Sequence, residues 1–112
     1  MQISDYTLGD DSVFVIAEIG NNHNGSVKLA LEMVDAAHEA GVNCVKFQMR
    51  NMSSVYRKKS LNKQGEDLGT EYILDLLERF QLSQYEHKQV AEYCDKKGIL
   101  YMCTPWDSES VD

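Results

Sequence analysis

Short apolar runs alternate with amphipathic segments along this chain. Residues 13–17 form a continuous apolar run, as expected for a strand that is buried on both faces of a parallel sheet. Residues 42–48 and 99–103 predict a second and a third short strand. The three runs therefore indicate a sheet of at least three strands.

Between the first two strands, apolar residues recur at helical spacing. The segment begins at Ser26, its apolar positions include Leu29, Met33 and Ala40, and Gly41 follows it. Glycine is common just after a helix, so we expect the helix to end there. A strand, a helix and a strand joined by short connections predict a βαβ unit.

Two further helices are predicted before the third strand, over residues 70–80 and 83–97. The second has Ser83 followed three residues later by Glu86, which is a capping box, and Gly98 ends it. The first carries an apolar stripe that we interpret as core packing. Its members are Tyr72, Leu76, Leu77 and Phe80.

Three stretches outside these elements also carry predictions. The turn residues Gly9, Asp10 and Asp11 predict a short β-hairpin before the main fold. Residues 49–69 show no clear period, which is typical of a functional loop or of partial disorder. Asp107 follows the third strand, where we expect it to cap a further helix.

The resulting order is a hairpin followed by β-α-β-α-β, which predicts an α/β fold. A complete (β/α)₈ barrel needs about 250 residues. If the chain adopts that fold, its 112 residues hold the first three of the eight strands. A small open α/β sheet is the alternative, because the chain is nearly long enough for one.

Composition and charge narrow the classes of partner. The 18 Asp+Glu residues exceed the 11 Lys+Arg residues, and the formal net charge is −7. Such a chain has no overall field to attract nucleic acid or an anionic membrane. No apolar run approaches the roughly 20 residues of a membrane span, and the N-terminus lacks the basic region of a signal peptide. We therefore expect a cytoplasmic protein without nucleic-acid or membrane partners.

The sequence predicts where the cysteines and two of the histidines lie in the structure. Cys44, Cys94 and Cys103 are odd in number and widely spaced, which predicts reduced core residues. His38 and His87 lie within helical segments and are flanked by polar residues, so we expect both at the surface.

Polar side chains follow the carboxyl ends of all three predicted strands. Glu18 comes after the first strand, Lys46 and Gln48 lie at the end of the second, and Thr104 follows the third. In parallel α/β folds this edge of the sheet binds ligands. A ligand-free ion pair between Glu18 and Lys46 is the structural alternative.

The loop from Gly20 to Gly25 precedes a helix N-terminus, where free N–H groups favour anions. It matches no established phosphate-binding motif, and the alternative is a tight turn whose asparagines cap the helix. His23 in this loop is a candidate acid, base or metal ligand, but it has no second ligand at usable spacing.

A basic segment spans residues 50–63. It contains five basic residues and no acidic residue in an otherwise acidic chain. Such a segment could steer an anionic substrate to the strand ends. A solvated flexible loop is the alternative.

Two sequence blocks together resemble the sialic acid synthase family. AEIGNNHNG is followed by KFQ, with Lys46 placed 28 residues after Glu18. The block from LSQYEHKQ to LYMCTPWD resembles the family's next helix, strand and turn. The resemblance covers nearly the whole chain, and it implies that residues 1–112 are the N-terminal portion of a (β/α)₈ synthase domain.

The same resemblance implies an activity. Family members condense phosphoenolpyruvate with an N-acetylmannosamine-like sugar, and the products are a nonulosonic acid and phosphate. They use a divalent metal, manganese or magnesium, whose ligands lie on later strands. They are homodimers in which a C-terminal antifreeze-like domain reaches the partner's active site. By itself this chain should hold no metal and show no turnover.

Site residues follow from the resemblance position by position. Lys46 and Thr104 match contacts to phosphoenolpyruvate. Glu18 matches a carboxylate at the sugar end of the site, where it holds a sugar hydroxyl or transfers a proton. Gln48 orients groups at the same mouth. The remaining predicted substrate-binding residues are Asn22, His23 and Asp67, and Asp67 departs from an asparagine that is frequent in the family.

Two other functions remain open at this point. Lys46 could instead form a Schiff base in an aldolase. Alternatively, the chain could be a non-catalytic α/β binding module.

Overall fold

The computed structural model describes residues 1–9, 11–55 and 68–112, and residues 68–72 by their backbone alone. Asp67, Asp10 and most of the basic segment lie outside the described residues. The substrate contact predicted for Asp67 and the steering predicted for the basic segment therefore stay predictions.

Three parallel strands form the centre of the fold. They are β3 (Ile16–Gly20), β4 (Cys44–Met49) and β5 (Leu100–Pro105), with β4 in the middle. Helix α1 (Val27–Glu39) connects β3 to β4. The connection from β4 to β5 contains α2 (Met52–Val55), α3 (Leu68–Arg79) and α4 (Gln84–Lys97). The predicted β-α-β-α-β order is confirmed.

The N-terminal hairpin is confirmed, but its turn lies earlier than predicted. Strand β1 (Gln2–Ile3) pairs antiparallel with β2 (Tyr6–Thr7), and Ile3 lies opposite Tyr6. This register leaves two residues for the turn, and Ser4 adopts a left-handed φ of 50°. Gly9 lies beyond the second strand, so the glycine–aspartate signal marks the exit from the hairpin.

The first strand of the main sheet begins later than its apolar run. Val13 and Val15 are 80% and 45% exposed, so the prediction of burial on both faces is wrong for this part. Pairing with β4 begins at Ile16 opposite Cys44. Before that point, the backbone N–H of Val15 donates to the side chain of Asn43 over 2.8 Å. An asparagine side chain therefore replaces a partner strand here.

Helix ends follow the predicted capping residues. The Ser26 hydroxyl accepts from the N–H of Leu29, and the Ser83–Glu86 capping box is complete in both directions. Gly98 adopts a left-handed φ of 76° at the end of α4. Local sequence signals thus fix three helix ends to the residue.

The predicted irregular stretch 49–69 contains helical residues at both ends. Helix α2 begins after Asn51, whose side-chain oxygen accepts from the N–H of Ser53, and α3 begins at Leu68. These segments are too short for a helical period to show in the sequence. Asp107 caps a turn rather than a helix within the described residues, because its carboxylate accepts from the N–H and hydroxyl of Ser110.

The core lies between one face of the sheet and the helices. Val45 and Phe47 are fully buried on this face. They pack in one cluster with residues of β3, α1 and α4, which include Ile19, Ala30, Val34, Val90 and Cys94. In α3, Leu74 is buried and Leu76 and Leu77 are half-buried, as is Phe80 just after the helix. The predicted core packing of Leu76, Leu77 and Phe80 is therefore partial, and Leu74, which the predicted stripe omitted, is more buried than they are. The side chain of Tyr72, the fourth residue of the stripe, lies outside the described residues.

Of the two histidines in helical segments, only His87 belongs to this core. His38 is exposed as predicted, but His87 is 3% exposed, so its predicted surface position is wrong. His87 precedes the buried Val90 and Cys94 by three and seven residues, which places it on the buried face of α4. Its polar sequence neighbours occupy the other faces. The ring contacts Phe47 edge-on and is hydrogen-bonded through Nδ1 to the Tyr101 hydroxyl, 2.8 Å away.

The three cysteines are free thiols, as predicted. Cys44 and Cys94 are buried, and burial raises the pKa of Cys94 to about 11, so this thiol stays protonated at neutral pH. Within the described ranges, no helix is both long and apolar enough to cross a bilayer.

Acid should destabilise the fold through His87. Burial lowers the pKa of His87 from 6.5 to about 4. The unfolded chain therefore binds more protons than the folded chain between these values, and the free energy of unfolding should fall by up to ~3 kcal/mol as the pH drops through them. Chemical denaturation at several pH values measures this slope. The His87→Asn variant should flatten it, and the exposed matched control His38→Asn should not. An unchanged slope in His87→Asn would contradict the assignment.

Candidate functional site

The predicted strand-end residues lie together on one face of the sheet. Glu18 is paired with Lys46 in the register of β3 and β4, and Gln48 is paired with Thr104 in that of β4 and β5. Side chains alternate along a strand, and Val45 and Phe47 point to the core. Lys46 and Gln48 must therefore point to the opposite face, which bears no described helix. The four residues form what we call the strand-end cluster.

An ion pair joins the two charged members of the cluster. Lys46 Nζ lies 2.7 Å from Glu18 Oε2, and the two side chains are 34% and 51% exposed. The Glu18–Lys46 ion pair of the structural alternative is thus present. Because both side chains are accessible, the pair leaves room for a ligand to approach, and its own contribution to stability is small.

Gln48 is held by a residue that the sequence did not single out individually. Arg50 Nη2 donates a hydrogen bond of 2.9 Å to Gln48 Oε1. The Arg50 guanidinium lies 4.1 Å from the ring centroid of Trp106. The sequence signal for this contact was a cationic residue directly after β4 and an aromatic residue directly after β5.

Further contacts join the loops that follow β4 and β5. The N–H of Trp106 donates to the carbonyl of Met49 over 3.0 Å. The N–H of Asn51 donates to the Asp107 carboxylate over 2.7 Å, and this bond lowers the pKa of Asp107. The Asn51 side chain also contacts Glu109. The two loops therefore form one connected rim above the strand-end cluster.

Backbone N–H groups of the loop after β3 form hydrogen bonds with carbonyls nearby in the same segment. The N–H groups of Asn22, Asn24 and Ser26 donate to carbonyls within the segment. The side chain of Asn22 donates to the carbonyl of Ile19 over 2.8 Å. Since these groups are occupied, the geometry favours a tight turn over an anion cradle. The helix cap is Ser26 rather than an asparagine.

His23 lies on the core side of this loop, away from the strand-end cluster. It is fully buried and stacks on Phe47, with ring centroids 5.9 Å apart. Its Nδ1 accepts from the N–H of Gly25 over 3.0 Å, and burial lowers its pKa. The contacts make His23 a support for the loop. Its predicted contact with substrate stays a prediction, as does that of Asn22, whose side chain is exposed.

The described residues do not bring metal ligands together. No group of three or more His, Cys, Asp or Glu side chains among them could hold a metal ion. The part of the chain that the structure describes therefore does not fit the divalent metal of the resemblance, whose ligands were expected on later strands.

Comparison with known proteins places this chain in a family. A profile described as the NeuB family matches residues 33–112. The chain is 36% identical to the spore coat polysaccharide biosynthesis protein SpsE of Bacillus subtilis, over 99% of this chain and 30% of SpsE. It is 35% identical to N,N'-diacetyllegionaminic acid synthase of Legionella pneumophila, over 88% of this chain and 29% of that enzyme.

A solved structure shows a similar fold. The crystal structure of N-acetylneuraminic acid synthetase from Leptospira borgpetersenii matches with a TM-score of 0.79 at 28% identity, over 99% of this chain and 35% of that one. The α/β fold predicted as the first three strands of a barrel is thereby confirmed. The chain spans about 30% of the length of the curated relatives it matches.

Replacing Gly25 should disturb the loop that carries His23. Gly25 has a left-handed φ of 76°, and a Cβ here would clash with the backbone carbonyl oxygen of Arg79. Gly25→Ala should therefore cost about 3 kcal/mol or more of stability, from backbone strain and steric clash together. Gly41→Ala is the matched control, because Gly41 has a similar φ of 82° but no atom near its Cβ position. It should cost about 1 kcal/mol. Equal losses in denaturant unfolding would contradict the clash.

Proposed function

The chain belongs to the NeuB family, and we propose from this membership that it is the N-terminal part of a sialic-acid-type synthase. The proposed reaction condenses phosphoenolpyruvate with an N-acyl amino sugar and releases a nonulosonic acid and phosphate. Named synthases among the relatives make legionaminic and pseudaminic acids, and others make N-acetylneuraminate 9-phosphate.

The strand-end cluster is the observation that carries the proposal. Lys46 lies on β4, next to the strand that carries Thr104, and its side chain is accessible. It supplies the positive charge that a substrate with both phosphate and carboxylate groups requires. Glu18 supplies a carboxylate within 2.7 Å of that ammonium. A cation for one substrate and an oxygen acceptor for the other therefore lie side by side on an accessible surface.

The proposed chemistry assigns these residues separate tasks. C3 of phosphoenolpyruvate attacks the aldehyde carbon of the open-chain sugar, water adds at C2, and phosphate leaves with cleavage of its C–O bond. Lys46 orients the phosphate or carboxylate, and the Thr104 hydroxyl donates to the same substrate. Glu18 accepts a sugar hydroxyl or transfers a proton. Gln48, Asn22 and Asp67 complete the proposed substrate contacts, and the buried His23 supports the loop from the core side.

The rest of the proposed enzyme lies outside this chain. A divalent metal would polarise the sugar aldehyde, and its ligands would come from later strands. We also propose a cytoplasmic homodimer of the full-length protein. The isolated 112-residue chain is expected to be inactive, because it would lack those ligands and most of the barrel.

Lys46 should contribute to binding of phosphoenolpyruvate. In the full-length protein, Lys46→Ala should raise the KM for phosphoenolpyruvate and lower kcat/KM by about 10²-fold, because a charge-assisted contact is lost. Lys46→Arg should restore activity only in part. Lys28→Ala is the matched control, since it also removes a lysine from an ion pair, on the surface of α1. A rise confined to the sugar KM would remove Lys46 from this role. Borohydride trapping of pyruvate on Lys46 would indicate the aldolase instead.

Glu18 can be tested separately for proton transfer and for binding. If it transfers a proton, Glu18→Gln should lower kcat by roughly 10²–10⁴-fold with little change in the sugar KM. If it only accepts a sugar hydroxyl, the loss should be about tenfold and mostly in KM. Melting temperature should change little in either case, because both side chains of the pair with Lys46 are accessible to solvent. Glu32→Gln removes the carboxylate of the α1 ion pair as a control. Wild-type kinetics in Glu18→Gln would exclude both roles.

A further inference from the structure

We propose that Arg50 is a positioning residue that orients the side-chain amide of Gln48, so that Gln48 Nε2 donates a hydrogen bond to a substrate oxygen. The inference rests on the proposed function for the identity of the substrate. Its structural part depends only on the contacts of Arg50, Gln48 and Trp106.

Arg50 connects Gln48 to Trp106 at the rim of the site. Its Nη2 donates to Gln48 Oε1 over 2.9 Å, while its guanidinium carbon lies 4.1 Å from the Trp106 ring centroid. The backbone of Trp106 is fixed, because its N–H donates to the carbonyl of Met49 over 3.0 Å. The guanidinium thus contacts both the Trp106 ring and the Gln48 amide.

The chemistry of the two groups sets the orientation of that amide. A glutamine side chain ends in an oxygen that accepts and a nitrogen that donates, and the two ends have nearly the same shape. A guanidinium only donates. The hydrogen bond with Arg50 therefore forms only when Oε1 faces the guanidinium, and Nε2 must then face elsewhere.

Nε2 faces Gly20, the last residue of β3. It lies 3.6 Å from the position that a Cβ on Gly20 would take, where Gly20 leaves space because it has no side chain. The amide nitrogen of Asn22 lies 4.0 Å from the same point. Among the described residues, no protein atom accepts a hydrogen bond from Gln48 Nε2. A donor beside a residue without a side chain, at the end of β3, is suited to an oxygen of the substrate.

The contacts of Arg50 favour this role over a purely structural one. Its Nε and Nη1 are buried and have no hydrogen-bond partner within the described part of the chain. Leaving buried donors without partners costs free energy. A structural arginine is expected to use most of its donors, whereas the side-chain hydrogen bond that Arg50 makes in the described chain is the one to Gln48.

The oxygen that Gln48 binds has two possible sources. It belongs either to the carboxylate or phosphate of phosphoenolpyruvate, or to a hydroxyl or acyl group of the sugar. Both are hydrogen-bond acceptors, so the KM values of the two substrates distinguish them.

A double-mutant cycle in the full-length protein tests the proposal. Gln48→Met keeps the length of the side chain without its amide, and Arg50→Met removes the guanidinium. Each should raise the KM of the same substrate by about tenfold. The double variant should be no worse than Gln48→Met to within about twofold, because Arg50 acts through Gln48. Lys96→Met is the control for the loss of one positive charge, since Lys96 is exposed at the far end of α4.

A second measurement does not depend on activity. Selective ¹⁵N labelling of glutamine reports the order of the Gln48 side-chain amide by NMR. This amide should be ordered in the ligand-free wild type, mobile in Arg50→Met, and unaffected in Lys96→Met. Arg50→Lys should give an intermediate result, because an ammonium can donate to Oε1 but lacks the flat face that stacks on Trp106. Arg50→Lys also replaces Arg50→Met in the cycle if the latter does not fold.

The outcomes separate the inference from the proposed function. Three results would each overturn the role of Arg50. The first is a double variant whose loss is the product of the two single losses, and the second is wild-type kinetics in Arg50→Met. The third is a Gln48 amide that is equally mobile in the wild type and in Arg50→Met. A wild-type protein without synthase turnover would overturn the proposed function, and the NMR measurement alone would then decide whether Arg50 orients Gln48.

Discussion

Burial of Val45 and Phe47 on one face of β4 is the constraint on which the rest of this structure depends. Side chains alternate along a strand, so this burial requires Lys46 and Gln48 to point to the other face. A shift of β4 by one residue would bury the lysine and expose the phenylalanine, which makes that register very costly. The hydrophobic core thus determines where the chemistry of the strand-end cluster is placed.

The same phenylalanine supports the loop after β3. His23 stacks on one side of Phe47, Tyr101 stacks at 5.5 Å, and His87 contacts the ring edge. Through the bond from Gly25 to His23, the loop conformation is linked to this aromatic cluster. The residues around the site are therefore supported from the core side by groups that need never contact a substrate.

Parallel strands also bring together residues that are far apart in the sequence. Arg50 and Trp106 follow neighbouring strands, and the Asn51–Asp107 contact spans 56 positions. Such contacts order the rim without a disulfide or a described metal ligand set. They give the site a preorganised edge, which suits the proposed reaction because that reaction must hold two substrates in register.

The sequence by itself determined the element order, three of the helix ends and the strand ends at which the polar residues gather. These features depend on local information, namely hydrophobic period, Ser26, the Ser83–Glu86 box and Gly98. The family was also readable, because AEIGNNHNG and KFQ are contiguous motifs. Only the tertiary structure decided that His87 and His23 are buried, that Val13 is exposed, and that Arg50 holds Gln48. The physical reason is that burial and side-chain pairing depend on which neighbours the sheet register supplies, and those neighbours are distant in the chain.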